Sequence, residues 1–190
     1  MFIDYLTLIM INMITGTVLL AQFLWKSFDG GEGDQRSYAP AFGGVGLLAV
    51  ILGLALSLTW PLPGNHNITY GETTTLFGIV FLAAAYALSQ GWSLIPVATL
   101  AFFAGIDALL VGVNIFFTRT PQEPLMVAVG FLLSGLGGMF AAPYLMFFHD
   151  KKIFRRLAVI ALILTAVAWM IMYGASFWVH LQNFTSWMPK

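Results

Sequence analysis

Long apolar stretches separated by short polar segments run through the whole chain. A helix needs about 20 mostly apolar residues to cross the hydrocarbon core of a membrane, and six stretches meet or nearly meet that length. We predict transmembrane helices over 5–24, 41–60, 73–88, 94–117, 125–148 and 157–179. The third is the shortest, and it reaches full length only if Glu72, Ser89 and Gln90 lie at the interfaces. The pattern predicts an all-α integral membrane bundle, with residues 1–190 as a single transmembrane domain.

The composition supports a membrane protein and excludes several other classes. Only 8% of the 190 residues are charged and 59% are hydrophobic, whereas a soluble domain carries about 25% charged residues. Eight Lys and Arg balance eight Asp and Glu, which is not the basic footprint of a nucleic-acid-binding protein. The chain contains no cysteine, so disulfides, thiolate nucleophiles and cysteine-based zinc sites are excluded.

The positions of the cations predict how the bundle is oriented. Lys and Arg are retained on the cytoplasmic side of a membrane, and six of the eight fall in the first and fifth loops. We therefore expect both termini on the extracytoplasmic side. The six are Lys26, Arg36, Lys151, Lys152, Arg155 and Arg156, and the other two are Arg119 and Lys190.

Small residues recur along the second, fourth and fifth helices. Such residues let membrane helices approach closely, so we interpret them as packing faces inside the bundle, with an oligomer interface as the alternative. Pro143 lacks an N–H and is expected to disturb the cytoplasmic end of helix five. The small residues are Gly43, Gly44, Gly46 and Gly53, then Ala101, Ala104, Gly105, Ala108 and Gly112, then Gly130, Ser134, Gly135, Gly137 and Gly138.

Asp107 lies near the centre of the fourth helix, and Asn114 falls on the same helix face seven residues later. An ionised carboxylate at that depth costs at least about 2.5–3.5 kcal/mol, so we expect the neutral acid. One hypothesis is a proton or cation relay. The other is a structural acid that forms a hydrogen bond with Asn114, Tyr86, Tyr144 or Ser134. A relay needs a second ionisable group at matching depth, and because none is predicted we favour the structural hypothesis.

Polar residues collect on the predicted outer face. His66, Asn67, Tyr70 and Glu72 belong to the loop that joins helices two and three, and His180 begins the tail on the same side. Two histidines and a carboxylate are a known ligand set for zinc, iron or copper. His66, Glu72 and His180 are therefore candidate metal ligands within a candidate ligand-binding cluster of all five residues. Solvated loop side chains are the interpretation that we favour.

The two ends of the chain reach the same outer face. Asp4 is placed at the interface, where we expect its carboxylate to be solvated. Residues 180–190 are predicted to form an interfacial tail, because Leu181, Phe184 and Met188 recur at helical spacing. Folded across the mouth of the bundle, this tail would bring His180 toward the loop.

The loop and the C-terminal segment also carry a family resemblance. The residues are Trp60-Pro61-Leu62-Pro63-Gly64, Asn67-Ile68, Tyr70-Gly71-Glu72, His180 and Trp187 to Pro189. In these features the chain resembles a family of small polytopic prokaryotic membrane proteins known only as a domain of unknown function. The resemblance covers the whole chain and implies a prokaryotic plasma membrane. It carries no activity, so it assigns no catalytic or binding residue.

Three functional hypotheses remain. The favoured one is a binding or accessory subunit of a membrane assembly, for example a respiratory or redox complex, with any ligand site on the outer face. The alternative is a small proton- or solute-transporting protein that uses Asp107 and Asn114. An enzyme ranks last, because the chain lacks a cysteine nucleophile, a His-Glu-x-x-His pair and a Gly-x-Ser-x-Gly elbow. The expected partners are the lipid bilayer and either other membrane subunits or a second copy of the chain, with no nucleic acid; the sequence identifies no cofactor.

Overall fold

The computed structural model describes residues 4–26, 35–118 and 125–183. Every one of the six main helices in these ranges is long and apolar enough to cross a membrane, which confirms the predicted all-α membrane bundle. A 3-10 turn over Gln35–Tyr38 precedes the second helix, and a π-helical turn over Tyr144–Phe148 follows the fifth. The helices are α1 (Tyr5–Lys26), α2 (Ala39–Thr59), α3 (His66–Gln90), α4 (Ile95–Thr118), α5 (Leu125–Pro143) and α6 (Lys152–Gln182).

The six helices form a closed ring, in which each contacts its neighbours along the chain and α6 returns to contact α1. The contacts are most extensive within three antiparallel pairs: α2 with α3, α4 with α5, and α1 with α6. We call the end that carries Asp4, the turn at 60–65 and His180 the terminal end. The opposite end, called the basic end, carries Lys26, the turn at 91–94 and the segment 149–151.

Glycines bring the backbones of α2 and α3 into direct contact. Gly46 and Gly53 of α2 face Gly78 and Gly71 of α3. A Cβ atom added at Gly53 would lie 2.6 Å from the amide nitrogen of Thr75, which is closer than any real carbon can approach. Since membrane helices associate through such close contacts, the glycines hold α2 and α3 together as one hairpin.

The α4–α5 hairpin is built in the same way. Gly105 and Gly112 of α4, seven residues apart like Gly46 and Gly53, face the backbone of α5. Gly105 lies against Gly135 and Gly138, whereas an added Cβ at Gly137 would meet nothing within 4 Å. The predicted packing faces are therefore confirmed in part. The contact pattern repeats at seven residues, a spacing that the sequence interpretation did not identify.

The third helix is longer than predicted, since it begins at His66 and not at residue 73. The preceding turn is short because Trp60 takes a left-handed conformation with φ 46°, and its N–H caps α2 by donating to the carbonyl of Leu56. Polar side chains in this part of α3 form hydrogen bonds with the main chain of the helix itself. For example, the hydroxyl of Thr73 donates to the carbonyl of Thr69 over 2.6 Å. Glu72 consequently lies in the second turn of α3 and not at its start.

The sixth helix also exceeds its predicted bounds of 157–179, and it begins at Lys152. Arg155 and Arg156 therefore lie in its first turns and not in a connecting loop. The predicted interfacial tail begins inside this helix, and its last residues, 184–190, lie outside the described part of the chain. At Pro143 the α-helical pattern of α5 gives way to the π-helical turn, which is the disturbance that a missing N–H is expected to cause.

Trp169 is the largest fully buried side chain among the described residues, at 1% exposure. Its indole N–H donates to the hydroxyl of Ser134 over 3.0 Å, and its ring covers Gly130, where a Cβ would lie 2.9 Å from the ring. The indole thus satisfies its polar group inside the bundle and connects the α4–α5 hairpin to α6.

Candidate functional site

Two carboxylates, Glu72 and Asp107, lie on the neighbouring helices α3 and α4, which contact each other. The charge of Glu72 is near enough to act on Asp107. Glu72 is six residues from the start of α3, or about 9 Å along the helix axis, and Asp107 is eleven residues from the end of α4, or about 16 Å. Both distances are measured from the terminal end, so the exposed Glu72 lies nearer to that end and Asp107 lies deeper.

Asp107 lacks the hydrogen bond that the structural hypothesis expected. Its Oδ2 atom is fully buried and has no hydrogen-bond partner. Among the predicted partners, the hydroxyl of Ser134 accepts the indole N–H of Trp169, and the hydroxyl of Tyr144 accepts from the guanidinium of Arg155 over 3.3 Å. The hypothesis that Asp107 is a structural acid held by a hydrogen bond is therefore wrong for its Oδ2 atom.

The other two predicted partners of Asp107, Tyr86 and Asn114, also make other contacts. Tyr86 is 59% exposed, and its ring meets that of Trp92 edge to face, with centroids 5.3 Å apart. Asn114 is exposed, and its main-chain carbonyl accepts the hydroxyl of Thr118 over 2.9 Å. Glu72 is thus the ionisable group whose charge acts on Asp107. Among the described contacts, none joins the side chain of Asn114 to Asp107.

A second buried polar atom without a partner lies on α3. The hydroxyl of Thr74, a residue with 1% exposure, makes no hydrogen bond. Most buried side-chain polar atoms in proteins have at least one partner, so such atoms require an explanation. Within the described part of the chain, Thr74 Oγ1 and Asp107 Oδ2 are the side-chain atoms in this state, and they lie on the two helices that carry the carboxylate pair.

At the terminal end a hydrogen bond joins the end of α6 to the residue before α1. Nδ1 of His180 lies 2.7 Å from Oδ2 of Asp4, and the two side chains are only 31% and 24% exposed. The expectation that Asp4 would be solvated is therefore wrong. The pair connects the last turn of α6 with the residue that precedes α1, and it closes the helix ring at this end.

His66 and Tyr70 start a row of aromatic rings that leads into the bundle. The two rings are stacked with centroids 6.1 Å apart, and Nδ1 of His66 lies 2.9 Å from the carbonyl oxygen of Pro63. The ring of Tyr70 lies 5.6 Å from that of Phe131, and Phe131 lies 5.2 Å from Trp169. Aromatic packing thus connects the turn at the terminal end with the centre of the ring.

Asn67 holds the turn between α2 and α3. It is completely buried, and its amide nitrogen donates to the carbonyl of Leu62 over 2.6 Å while its amide oxygen accepts the N–H of Leu62 over 3.0 Å. A weaker bond of 3.4 Å reaches the carbonyl of Gly64. These contacts give Asn67 a structural role, and its amide is already used within its own turn.

The candidate metal ligands are not gathered into one site. Among the residues that the structure describes, no three His, Asp or Glu side chains are placed to hold a metal ion. His66 stacks on Tyr70, Glu72 is exposed and its charge acts on Asp107, and His180 pairs with Asp4. Each of the three candidates thus contacts a different neighbour.

Sequence analysis missed Asn12, a buried polar residue in the middle of α1. Its amide nitrogen donates to the main-chain carbonyl of Val45 in α2 over 2.9 Å, and the residue is 6% exposed. An Asn inside an otherwise apolar span was the available signal, since polar side chains in such spans face other helices. The bond connects the α1–α6 pair to the α2–α3 hairpin.

The comparisons with known proteins show the family of the chain and assign no activity. The chain belongs to the family described as "Protein of unknown function (DUF981)", whose sequence model matches residues 1–183. The search of curated proteins found no match, and neither did the search of solved structures. The chain is thus a family member with six apolar helices and no established function.

Proposed function

We propose that this multi-pass membrane protein is a small proton or cation transporter in which Glu72 and Asp107 bind the transported ion. The observation that supports it best is the buried Oδ2 of Asp107, which has no hydrogen-bond partner, on a helix that contacts the one carrying Glu72. A carboxylate in the membrane interior costs several kcal/mol and is a functional-site hypothesis by default. Two such groups side by side lower their repulsion by binding a proton or a cation.

The stagger of the two carboxylates suggests a route. Glu72 is exposed and about 7 Å nearer to the terminal end than Asp107, from the helical rise of 1.5 Å per residue. An ion arriving from that end would meet Glu72 first and Asp107 second. This proposal replaces Asn114 by Glu72 as the second residue of the site.

Proton flux into vesicles tests the proposal. The purified protein is reconstituted with a pH-sensitive dye inside the vesicles, and a membrane potential is imposed in the presence of different monovalent cations. We expect Asp107→Asn and Glu72→Gln to lower the flux to that of protein-free vesicles, because each leaves a single carboxylate. Asp150→Asn is the matched control, since Asp150 is an exposed acid at the opposite end. Wild-type vesicles that conduct no more than empty ones would contradict the proposal.

The accessory-subunit hypothesis is the second proposal, and an exposed ridge on α4 favours it. Phe103, Leu110 and Phe117 are spaced by seven residues and are 64%, 64% and 78% exposed. Lipid tails or the helix of a partner subunit would both cover such a ridge. Mass spectrometry of the complex extracted in mild detergent decides between them, because a subunit carries its partner through purification and a lone bundle does not.

For location we propose a prokaryotic plasma membrane with the basic end in the cytoplasm. Six of the eight Lys and Arg residues belong to that end, as the retention of positive charge on the cytoplasmic side predicts. Both termini would then be extracytoplasmic, and Glu72 would be reached from outside the cell. Labelling of single cysteines introduced into this cysteine-free chain measures the orientation directly.

A further inference from the structure

A half-open cleft of about 590 Å³ lies at the basic end, far from the carboxylate pair. Three segments form it: the 3-10 turn before α2, the turn between α3 and α4, and the end of α5. Its volume falls within the about 300–1,000 Å³ of small-molecule sites. The polar part of its wall comes from Gln35, Arg36, Ser93 and His149, and leucine, isoleucine and tryptophan side chains form the remainder.

Arg36 lies over the glycine that ends α3. Gly91 has a φ of +68°, and a Cβ there would lie 3.0 Å from the guanidinium nitrogen Nη2 of Arg36. Glycine adopts this left-handed conformation without strain, and its missing side chain leaves room for the guanidinium. The turn therefore positions Arg36 at the wall of the cleft.

His149 also lines the cleft, and it directly follows the π-helical turn of residues 144–148. Arg155 of α6 braces this turn, because it donates to the hydroxyl of Tyr144 and, over 2.9 Å, to the carbonyl oxygen of His149. π-helical turns are rare, and they occur frequently at functional sites. The imidazole of His149 lies 2.9 Å from the carboxylate of Asp150, which is 87% exposed.

The cleft combines the two features expected of a site for an anionic lipid, which are a guanidinium group for the phosphate and an apolar wall for the lipid chains. Guanidinium groups bind phosphate oxygens through paired hydrogen bonds, and the residues that follow His149 in the chain, Asp150, Lys151 and Lys152, add one net positive charge. The apolar part of the wall continues to Trp92, whose ring is 60% exposed, as is typical of tryptophan at the membrane interface. A free phosphate would use only the polar wall, whereas a phospholipid uses both. We propose that this cleft binds the phosphate group of an anionic phospholipid in the adjacent leaflet.

Native mass spectrometry of the full-length protein tests the proposal. The protein is purified in mild detergent and titrated with phosphatidylglycerol, with phosphatidylcholine and with inorganic phosphate. We expect retention of phosphatidylglycerol to be about tenfold weaker in Arg36→Gln, the factor that loss of one charge-assisted hydrogen bond causes. His149→Ala should also weaken it, and this variant keeps the main-chain carbonyl that Arg155 holds. Arg36→Lys should restore most of the binding.

Arg156→Gln is the matched control, because Arg156 is exposed at the same end and does not line the cleft. Equal losses of phosphatidylglycerol retention in Arg156→Gln and in Arg36→Gln would overturn the proposal, since they would indicate a general attraction of the lipid to basic residues. Equal retention of phosphatidylcholine would overturn it too, and so would displacement of the lipid by inorganic phosphate alone. Thermal unfolding of each variant in detergent identifies those that do not fold, and if Arg36→Gln is among them the decision rests on His149→Ala.

Discussion

The two hairpins and the contact between them are built on different principles. Inside each hairpin, glycines such as Gly53 and Gly105 bring main chain against main chain, with no space for even one additional carbon. The contact between α3 and α4, where the hairpins meet, is less extensive, and the charge of Glu72 on α3 acts on Asp107 on α4. In the described part of the chain, the two buried side-chain polar atoms without a partner lie on these same two helices. We name the contact between α3 and α4 the seam.

This difference separates two kinds of helix contact within one small bundle. Tightly packed interfaces are not continuously deformable, so each hairpin is expected to behave as a unit. The two helices of the seam carry, among the described residues, the buried polar atoms without a partner, which a stable core avoids. The substitutions below test whether the hairpins are rigid and the seam is incomplete, in order of decreasing expected effect.

The largest effect is expected at the glycine contact of the α2–α3 hairpin. In Gly53→Leu the new side chain would run into the main chain at Thr75 and Gly71, and backbone cannot move aside without separating the helices. The cost should exceed the about 1–3 kcal/mol that is typical of overpacking, so we expect no folded protein on size-exclusion chromatography in detergent.

Gly44→Leu is the control in the same helix, because an added Cβ at Gly44 meets nothing within 4 Å. We expect this variant to elute as wild type. Comparable folding of Gly53→Leu and Gly44→Leu would mean that the hairpin is deformable, and the contrast with the seam would then fail.

A smaller effect is expected at the turn of the same hairpin. Asn67→Ala leaves the N–H and carbonyl of Leu62 without the amide that pairs with both. Because the site is fully buried, we expect the free energy of unfolding to fall by about 2–3 kcal/mol. Asn65→Ala is the matched control two residues away, since the side chain of Asn65 forms no cap hydrogen bond with α3. Equal melting temperatures of the two variants would show that the turn does not limit the stability of the hairpin.

The sequence predicted the hairpins better than the seam. Apolar stretches and glycines are local signals, so the six helices and many packing residues were identifiable from composition and spacing. The start of α3 was not, because His66, Asn67 and Glu72 are residue types typical of loops, and only the tertiary bonds of Asn67 make a short turn possible. Once Glu72 was assigned to an interface, Asp107 had no second acid in the sequence interpretation, and this is why the structural hypothesis was favoured over a relay.

The side-chain contacts were harder to predict, since they depend on which helix faces which. Neither the pairing of His180 with Asp4, 176 residues apart, nor the bond from Trp169 to Ser134 leaves a local pattern in the sequence. The candidate metal ligands failed to converge for the same reason. Three residues predicted on one face of a membrane can still each have a different neighbour.

The smallest effect is expected at Thr74, a buried residue of α3, which is one of the two helices that form the seam. Valine has nearly the shape of threonine, and Thr74→Val removes a buried hydroxyl that makes no hydrogen bond. We expect the free energy of unfolding in detergent to rise by about 1 kcal/mol, because a desolvation cost is removed and no bond is lost. Thr73→Val is the control, since the hydroxyl of Thr73 donates to the carbonyl of Thr69, and its loss should leave stability unchanged or lower it by up to about 1 kcal/mol. A lower stability of Thr74→Val would mean that its hydroxyl does have a partner in solution, and among the described residues only Oδ2 of Asp107 would then distinguish the seam helices in this way.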